Sequence, residues 1–471
     1  MSDQATTDGA IDLRYGLEDV PTPWYAALGL GLQHVLTAFG ATIAVPLILV
    51  PALGLDAAET AVLISAVFIC SGIATVLQVT IGTRLPIVQG MSFAFLGPFF
   101  AIAAAHDGAN AMRYIAGAII AGALVQLIVG YGGIMGVLQR FITPITIGPV
   151  IALIGLSLFG AAADNSAGNW WLALLTVALV FLFALVLAPR LRFFALFPIL
   201  LAVLGAYLVA LVLSVTGVFA PGSASHVTFD ALGEAPWARG LAIGEGGLLL
   251  PWGTPIFELG FFIAVLAAYL ASTIESFGDY HAVSRIIGRG DPTPRQVNRG
   301  IGAEGIGCML TGLLGGFAST SYSENIGLVG LTRVASRVVV LVGAVALVVL
   351  GLVSKVGALI ASVPVPIVGG IYLALFGLIA AVGLSNLQRA DMNSQRNLMI
   401  IGFVLFMGLV VPSYFADLPD DWTLLGIDWL TSLATSIGSS GIAVGALLGL
   451  LLDNLIPGSA AERGVGTYDV R

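Results

Sequence analysis

The sequence predicts an all-α polytopic membrane protein of fourteen transmembrane segments in a seven-plus-seven inverted repeat, with short extended strands in the discontinuous third and tenth segments. Three observations carry this expectation. Hydrophobic residues make up 58% of the chain, charged residues only 9%, and mean hydropathy is +1.03, whereas soluble domains carry about 25% charged residues. Apolar runs near the roughly 20 residues that a helix needs to cross a bilayer recur along all 471 residues. The basic residues gather on alternate connections. A water-soluble globule is excluded, and the chain reads as one membrane-embedded unit.

Residues 1–23 are polar and acidic (Asp3, Asp8, Asp12, Glu18, Asp19), with neither a basic n-region nor a cleavage site. They are expected to form a cytoplasmic tail, and the first span directs its own insertion. Apolar segments bounded by charge or turn residues then fall at 24–50, 57–81, 86–105, 111–132, 142–163, 170–189, 193–219, 256–283, 300–316, 319–333, 336–354, 357–384, 396–415 and 438–456. Residues 221–255 are expected outside the cell and 457–471 in a second cytoplasmic tail. Cys70 and Cys308 both lie within apolar stretches and read as small core residues. The net charge of −8 with Lys355 as the sole lysine fits a high-salt organism or an arginine-rich, GC-rich genome.

Two segments are not clean hydrophobic cylinders. The third is interrupted by Pro86, Gln89, Gly90, Ser92, Gly97 and Pro98, and the tenth by Ser319, Thr320, Ser321, Ser323, Glu324, Asn325 and Gly327. Backbone freed in this way persists at membrane depth only where protein or a water-filled cavity satisfies it. The two segments hold the same place in each half if the chain divides near residue 220. Because seven is odd, the second half enters from the opposite side, the arrangement that points to a transporter site at the midplane.

An even count with a cytoplasmic N-terminus places Arg14, Arg84, Arg140, Arg190, Arg192, Arg285, Arg289, Arg295, Arg299, Arg333, Arg337, Arg389, Arg396, Arg463 and Arg471 inside. Only Arg113, Arg239 and Lys355 fall outside, beside the acidic groups Asp56/Glu59 and Asp417/Asp420/Asp421/Asp428. That asymmetry is the positive-inside pattern, and an odd count would scramble it.

Ionisable groups inside spans are costly and are read first as functional. Glu275 and Asp279 stand at i and i+4, one above the other on one helix face. Two neighbouring acids in low dielectric cannot both ionise cheaply, which suits a bound proton or cation. The plainer reading of Asp279 is an ion pair with Arg285. Glu304 sits among Gly300, Gly302, Gly305 and Gly307, as either a coupling group or a structural partner of a neighbouring helix. In Ser321-Tyr322-Ser323-Glu324-Asn325, a non-helical run leads into a short helix whose free N–H groups, with the Glu and Asn side chains, can read the edge of a flat heterocycle. A capping role is the plainer reading of Glu324. Phe93, in Gly90-Met91-Ser92-Phe93, is placed to stack on a ring or to fill space.

The run Glu324-Asn325-x-Gly327-x-x-x-x-Thr332-Arg333 resembles the signature of the nucleobase/ascorbate transporter family. Gln33-His34-Val35-Leu36-Thr37 in the first span and Glu275-Ser276-Phe277-Gly278-Asp279-Tyr280 are similar to its other motifs, and Gly383-Leu384-Ser385-Asn386-Leu387 through Ser394 is similar to its animal ascorbate and nucleobase branch. The resemblance implies core domains at 24–132 and 256–354, gate domains at 133–220 and 355–456, frequent homodimers, and elevator-like alternating access. It further implies that Glu275 and Glu324 hydrogen-bond the base and that Phe93 stacks on it. The Tyr322-Ser323 backbone and Asn325 complete the site, with Gln33, His34, Thr332 and Arg333 in support and Asp279, Glu275 and Glu304 in cation coupling. Glu at position 324 resembles the uracil type, whereas Asp at 279 resembles purine and ascorbate relatives.

The expectation is a proton-coupled, or sodium-coupled, importer of a nucleobase, uracil first, with xanthine or urate second and ascorbate or an anion third. Its partners are the small molecule and the lipid bilayer of the plasma membrane; no nucleic acid and no cofactor beyond the co-transported ion are expected. An enzyme is not expected, because His34, His106, His226 and His281 show no metal-ligand spacing and no nucleophile elbow or phosphate loop occurs.

Overall fold

The computed structural model describes residues 12–135, 141, 143–191, 193–194, 197–240, 242–419 and 422–464. Arg140, Arg192, Asp420, Asp421 and residues 1–11 and 465–471 of the two tails, Arg471 included, lie outside the described residues.

The chain is a multi-pass bundle of helices. In order they are α1 (Trp24–Leu53), α2 (Ala57–Thr80), α3 (Leu96–Ala105), α4 (Gly108–Tyr131), α5 (Pro144–Ser157), α6 (Phe159–Ala167), α7 (Trp170–Phe181) and α8 (Pro198–Val215). After a connection carrying the short helix Asp230–Glu234 come α9 (Leu259–Ile286), α10 (Pro294–Leu314), α11 (Ser323–Thr332), α12 (Arg337–Leu352), α13 (Ser354–Ala361), α14 (Val365–Asn386), α15 (Gln395–Ala416), α16 (Asp428–Gly438) and α17 (Gly441–Leu455). A helix occupies part of every segment expected from hydropathy. Among the described residues, 9 helices are individually long and apolar enough to cross a membrane, or 10 if the bent pair α12–α13 is one span.

Boundaries depart from the hydropathy reading where polar chemistry decides them. The helix expected from residue 300 begins at Pro294, because Thr293 and Gln296 form a capping box that hydropathy does not register. The twelfth segment, expected from 357, is divided: α13 is bent 78° from α12, and α14 starts afresh at Val365 behind Pro364, with Pro366 in its first turn. The fifth segment breaks at Leu158, which ends α5 and precedes α6. The connection expected between the last two spans contains α16, a helix the sequence reading did not anticipate.

Discontinuity in the third and tenth segments takes the form of two three-residue strands. Strand β1 (Gln89–Met91) pairs antiparallel with β2 (Ser319–Ser321), with Gln89 opposite Ser321 and Met91 opposite Ser319. The ladder continues through Ser92 N–H to Ala318 O at 3.1 Å and Tyr322 N–H to Val88 O at 3.0 Å. An exposed edge on such a ribbon would leave backbone groups unpaired at membrane depth, and side chains of adjoining helices close both edges. On α2, Ser71 donates to Gln89 O and Thr75 Oγ1 accepts from Gln89 N–H at 2.8 Å. On the other side, Ser276 Oγ accepts from Ser321 N–H at 3.3 Å and Cys308 Sγ from Ser319 N–H at 3.3 Å. Cys308 is thus a core residue, as expected, with a task at the strand edge.

The helices around this ribbon approach closely because glycines line their contacts. A Cβ at Gly302 or Gly305 of α10 would lie 2.7–2.8 Å from the Tyr131 ring or the Leu127 backbone of α4. By contrast α7, α8 and α15 are only 17%, 22% and 22% buried over their apolar windows, and they present Trp171, Leu208 and Phe406 outward. Such exposed apolar rows fit a lipid solvent.

Both described tail segments are docked. Arg14 N–H donates to Arg333 O at 2.8 Å, Ala335 N–H to Tyr15 O at 2.9 Å, and Glu18 pairs with Arg337, so residues 14–19 strap the junction of α11 and α12. At the other terminus Asp453, fully buried, accepts from Thr143 at 2.7 Å and pairs with Arg396 and Arg463, each at 3.0 Å.

Candidate substrate and coupling site

Each strand feeds a short helix. After β1, Ser92 Oγ accepts from Ala94 N–H at 3.3 Å and starts the 3-10 turn Phe93–Phe95 that runs into α3. After β2, Tyr322 is the N-cap of α11, with no side-chain cap. The first N–H groups of two half-helices are therefore delivered to one place by the β1–β2 pairing, where their partial positive charge favours electron-rich ligand atoms.

Gly90 makes this crossing possible. A Cβ there would lie 2.2 Å from the Tyr322 ring. Without it the ring lies across the ribbon, with its hydroxyl donating to Met91 O at 3.3 Å and lying 3.3 Å from Thr42 Oγ1 on α1. Tyr322 is buried, so its side chain builds the ribbon while its main chain reaches the half-helix start.

Glu324, in the first turn of α11, is exposed and lines a cavity of about 230 Å³ together with Leu36, Thr37, Pro198, Ile199 and Leu328. Glu275 is half-buried on α9, beside Ser92 and within electrostatic reach of Asp279, Glu304 and Glu324. Phe93 is half-buried at the head of the other half-helix. The structure thus gathers Glu275, Glu324 and Phe93 around the half-helix starts, from three separate segments.

Asp279 is buried and holds the ribbon to α9. Its Oδ2 accepts from Ser321 Oγ at 2.6 Å and its Oδ1 from Ser323 Oγ at 2.7 Å, one residue on each side of the β2–α11 turn. The ion pair with Arg285 does not form; Arg285 pairs with Asp291 at 2.6 Å. Glu304, 2% exposed, lies deeper. Its Oε1 accepts from Ser276 at 3.0 Å and Gln126 at 3.4 Å, and its Oε2 from Tyr280 at 2.8 Å.

The supporting residues separate. Asn325 is fully buried and turns away from the cavity, its Nδ2 donating to His34 O at 2.9 Å and lying 3.1 Å from His34 Nδ1. The pair ties α11 to α1. Gln33 is half-buried on α1. Thr332 bonds back to Leu328 O at 2.8 Å, and Arg333 ends α11 in a left-handed conformation (φ 58°) with its carbonyl taken by the N-terminal strap.

Sequence reasoning missed Ser276, Tyr280, Ser321, Gln78 and Gln126. The signal was present in part: Ser272, Ser276 and Tyr280 recur every fourth residue, so they share the α9 face that meets Glu304. Gln78 and Gln126 carried none, because single glutamines on α2 and α4 acquire partners only by packing. Among the described residues no group of three His, Cys, Asp or Glu side chains could hold a metal ion.

Residues 26–416 match the model of a permease family, Xan_ur_permease. The chain is 40% identical to human solute carrier family 23 member 2, over 96% of this chain and 76% of that one. It is 35% identical to nucleobase-ascorbate transporter 2 of Arabidopsis thaliana, over 96% and 90%. Among solved structures, the transmembrane domain of a cyanobacterial bicarbonate transporter, BicA, superposes with a TM-score of 0.57 at 16% identity, covering 84% of this chain and 98% of that one. The murine solute carrier 26 family member A9 anion transporter, in its inward-facing state, superposes with a TM-score of 0.64 at 11% identity, covering 93% and 69%. At these identities the two structures share the fold and nothing finer.

Proposed function

Because this chain belongs to the nucleobase/ascorbate transporter family, whose members are transporters and not enzymes, we propose that it is a cation-coupled symporter importing a nucleobase, uracil first. The observation that carries this reading is the convergence of Glu275, Glu324 and Phe93 on the two half-helix starts. A flat heterocycle presents alternating donors and acceptors at its edge: carboxylates accept from its N–H groups, helix-start N–H groups donate to its carbonyls, and an aromatic ring covers its face. Glu275 and Glu324 contact the base, the Tyr322-Ser323 main chain completes the edge, and Asn325, with His34, fixes the tilt of α11.

The coupling ion is a proton, with sodium as the alternative, taken up among Asp279, Glu275 and Glu304. The finer architecture belongs to the same reading: fourteen spans in a seven-plus-seven inverted repeat, core regions 24–132 and 256–354, gate regions 133–220 and 355–456, and both termini in the cytoplasm of a plasma-membrane protein. Alternating access is elevator-like, and the protein is a homodimer. The antiparallel strand pair supports the inverted repeat, since two equivalent strand-plus-half-helix units entering from opposite sides would meet this way. Xanthine or urate is the next candidate base. Ascorbate is the second reading, favoured by the nucleobase-ascorbate transporters among the relatives, although an anionic enolate beside Glu324 would meet like charge.

The test is uptake of labelled uracil, xanthine, urate and ascorbate into proteoliposomes under separately imposed proton and sodium gradients. Saturable, proton-driven uptake of uracil is expected. Uptake of ascorbate alone would replace the substrate, and uptake of none of the four would overturn the reading. Glu324→Gln is expected to weaken binding by about tenfold or more, the loss of one hydrogen bond to a charged group, and unchanged affinity would remove Glu324 from the site.

A further inference from the structure

Behind the proposed substrate contacts the two buried acids are joined by hydroxyl groups. From Asp279 Oδ2 the path runs 2.6 Å to Ser321 Oγ, 3.2 Å to Ser276 Oγ and 3.0 Å to Glu304 Oε1. Each serine carries one hydroxyl proton and can both donate and accept. Ser321 is within reach of Asp279 on one side and Ser276 on the other, so reversing it redirects a donor from one acid toward the other.

The geometry points to a proton relay: we infer that Ser321 and Ser276 carry a proton between Asp279, at the half-helix start, and Glu304, in the closed interior. The inference rests on the proton-coupled reading above and assigns two residues that reading does not use. The step balances. With Asp279 protonated and Glu304 ionised, Ser321 donates to Ser276 and Ser276 to Glu304. Asp279 passes its proton to Ser321 Oγ, Ser321 passes its own to Ser276 Oγ, and Ser276 passes its own to Glu304 Oε1. Three O–H bonds break and three form, the two serines end neutral, and one proton has moved from Asp279 to Glu304.

The surroundings favour transfer along this path. Glu304 Oε2 is held by Tyr280, whose hydroxyl accepts in turn from Gln78, and Gln126 lies 3.4 Å from Oε1. Tyr269 of α9 and Cys308 of α10 also face Glu304, while Glu275 and Glu324 face Asp279. Thr320 Oγ1 lies 3.0 Å from Ser276 and can steady it. Among the described residues neither acid forms an ion pair with an arginine or lysine, so no side-chain cation holds either one ionised. Asp279 also accepts from Ser323 at 2.7 Å. Its protonation therefore alters the grip on the start of α11, which couples proton position to the substrate site.

The experiment uses full-length protein in proteoliposomes and whichever of labelled uracil, xanthine, urate or ascorbate the wild type accumulates. Two quantities are read: exchange at equal pH on both sides, and accumulation driven by a proton gradient. Ser276→Ala is expected to keep exchange within about threefold and to lose about a hundredfold or more in driven accumulation, the lower end of the range for a lost proton-transfer group. Ser276→Thr, which keeps the hydroxyl, restores it. Ser321→Ala carries the same expectation should Ser276→Ala fail to fold. Driven accumulation at the wild-type level in both alanine variants overturns the relay and leaves proton coupling standing, as does an equal loss of exchange and accumulation. Wild-type uptake that follows sodium and ignores the proton gradient overturns both together.

Discussion

Gly90→Ala tests the strand crossing on which the site depends. The new Cβ would sit 2.2 Å from Cζ, 2.3 Å from Cε2 and 2.4 Å from Oη of Tyr322. Ordinary carbon contacts begin near 3.5 Å, so the ring must retreat by about 1.3 Å. The ring cannot yield freely, because it is 3% exposed and its hydroxyl is held between Met91 O and Thr42. Overpacking of this kind costs about 1–3 kcal/mol, and losing both hydroxyl contacts adds about 1 kcal/mol each. A loss of about 3–5 kcal/mol follows, concentrated where both half-helices begin. The measurement is thermal survival of the purified protein in detergent, with labelled-substrate binding on the surviving fraction. Gly377→Ala on α14 is the control, since a Cβ there meets nothing within 4 Å. A Gly90→Ala protein that melts and binds like wild type would show that the Tyr322 ring does not lock the ribbon.

Asp453→Asn leaves Arg396 and Arg463 facing a neutral group at a fully buried position; breaking a buried pair costs about 3–5 kcal/mol, so a marked drop in thermal survival is expected. Asn325→Ala removes the α11–α1 tie through His34 and is expected to cost about 1–3 kcal/mol, with weakened substrate binding measured at a temperature where the protein remains folded. Arg285 donates to Asp291 and holds its carboxyl below the usual aspartate range. A depressed folded-state value stabilises fully above the unfolded value of about 3.9 and is lost as pH falls through the lower folded value. Thermal survival of Asp291→Asn should therefore fall below wild type at neutral pH and converge with it in acid. The gap should be small, because both partners are exposed to solvent screening.

The sequence alone determined that this protein lives in a bilayer, where its breaks occur and which acids stand out inside the spans, because each is a local conflict with lipid. Glu275, Asp279, Glu304 and Glu324 stand out since charge is rare in such segments, and the third and tenth segments stand out since Gly and hydroxyl residues interrupt otherwise apolar runs. The α10 start at Pro294 was legible as a capping pattern and obscured only by its polar first turns.

Which groups meet was decided by tertiary structure. Pairing of Gln89–Met91 with Ser319–Ser321 joins segments more than two hundred residues apart, and no periodicity within either encodes its partner. Asp279 could as well have faced Arg285 on its own helix; it faces Ser321 and Ser323 because the ribbon packs there. Asn325 looked like a substrate contact and is occupied by His34, since the tilt of α11 against α1 aims it inward. Lipid penalises an unpaired polar group wherever it stands, and which partner relieves the penalty depends on how the helices pack, which is a property of the whole fold.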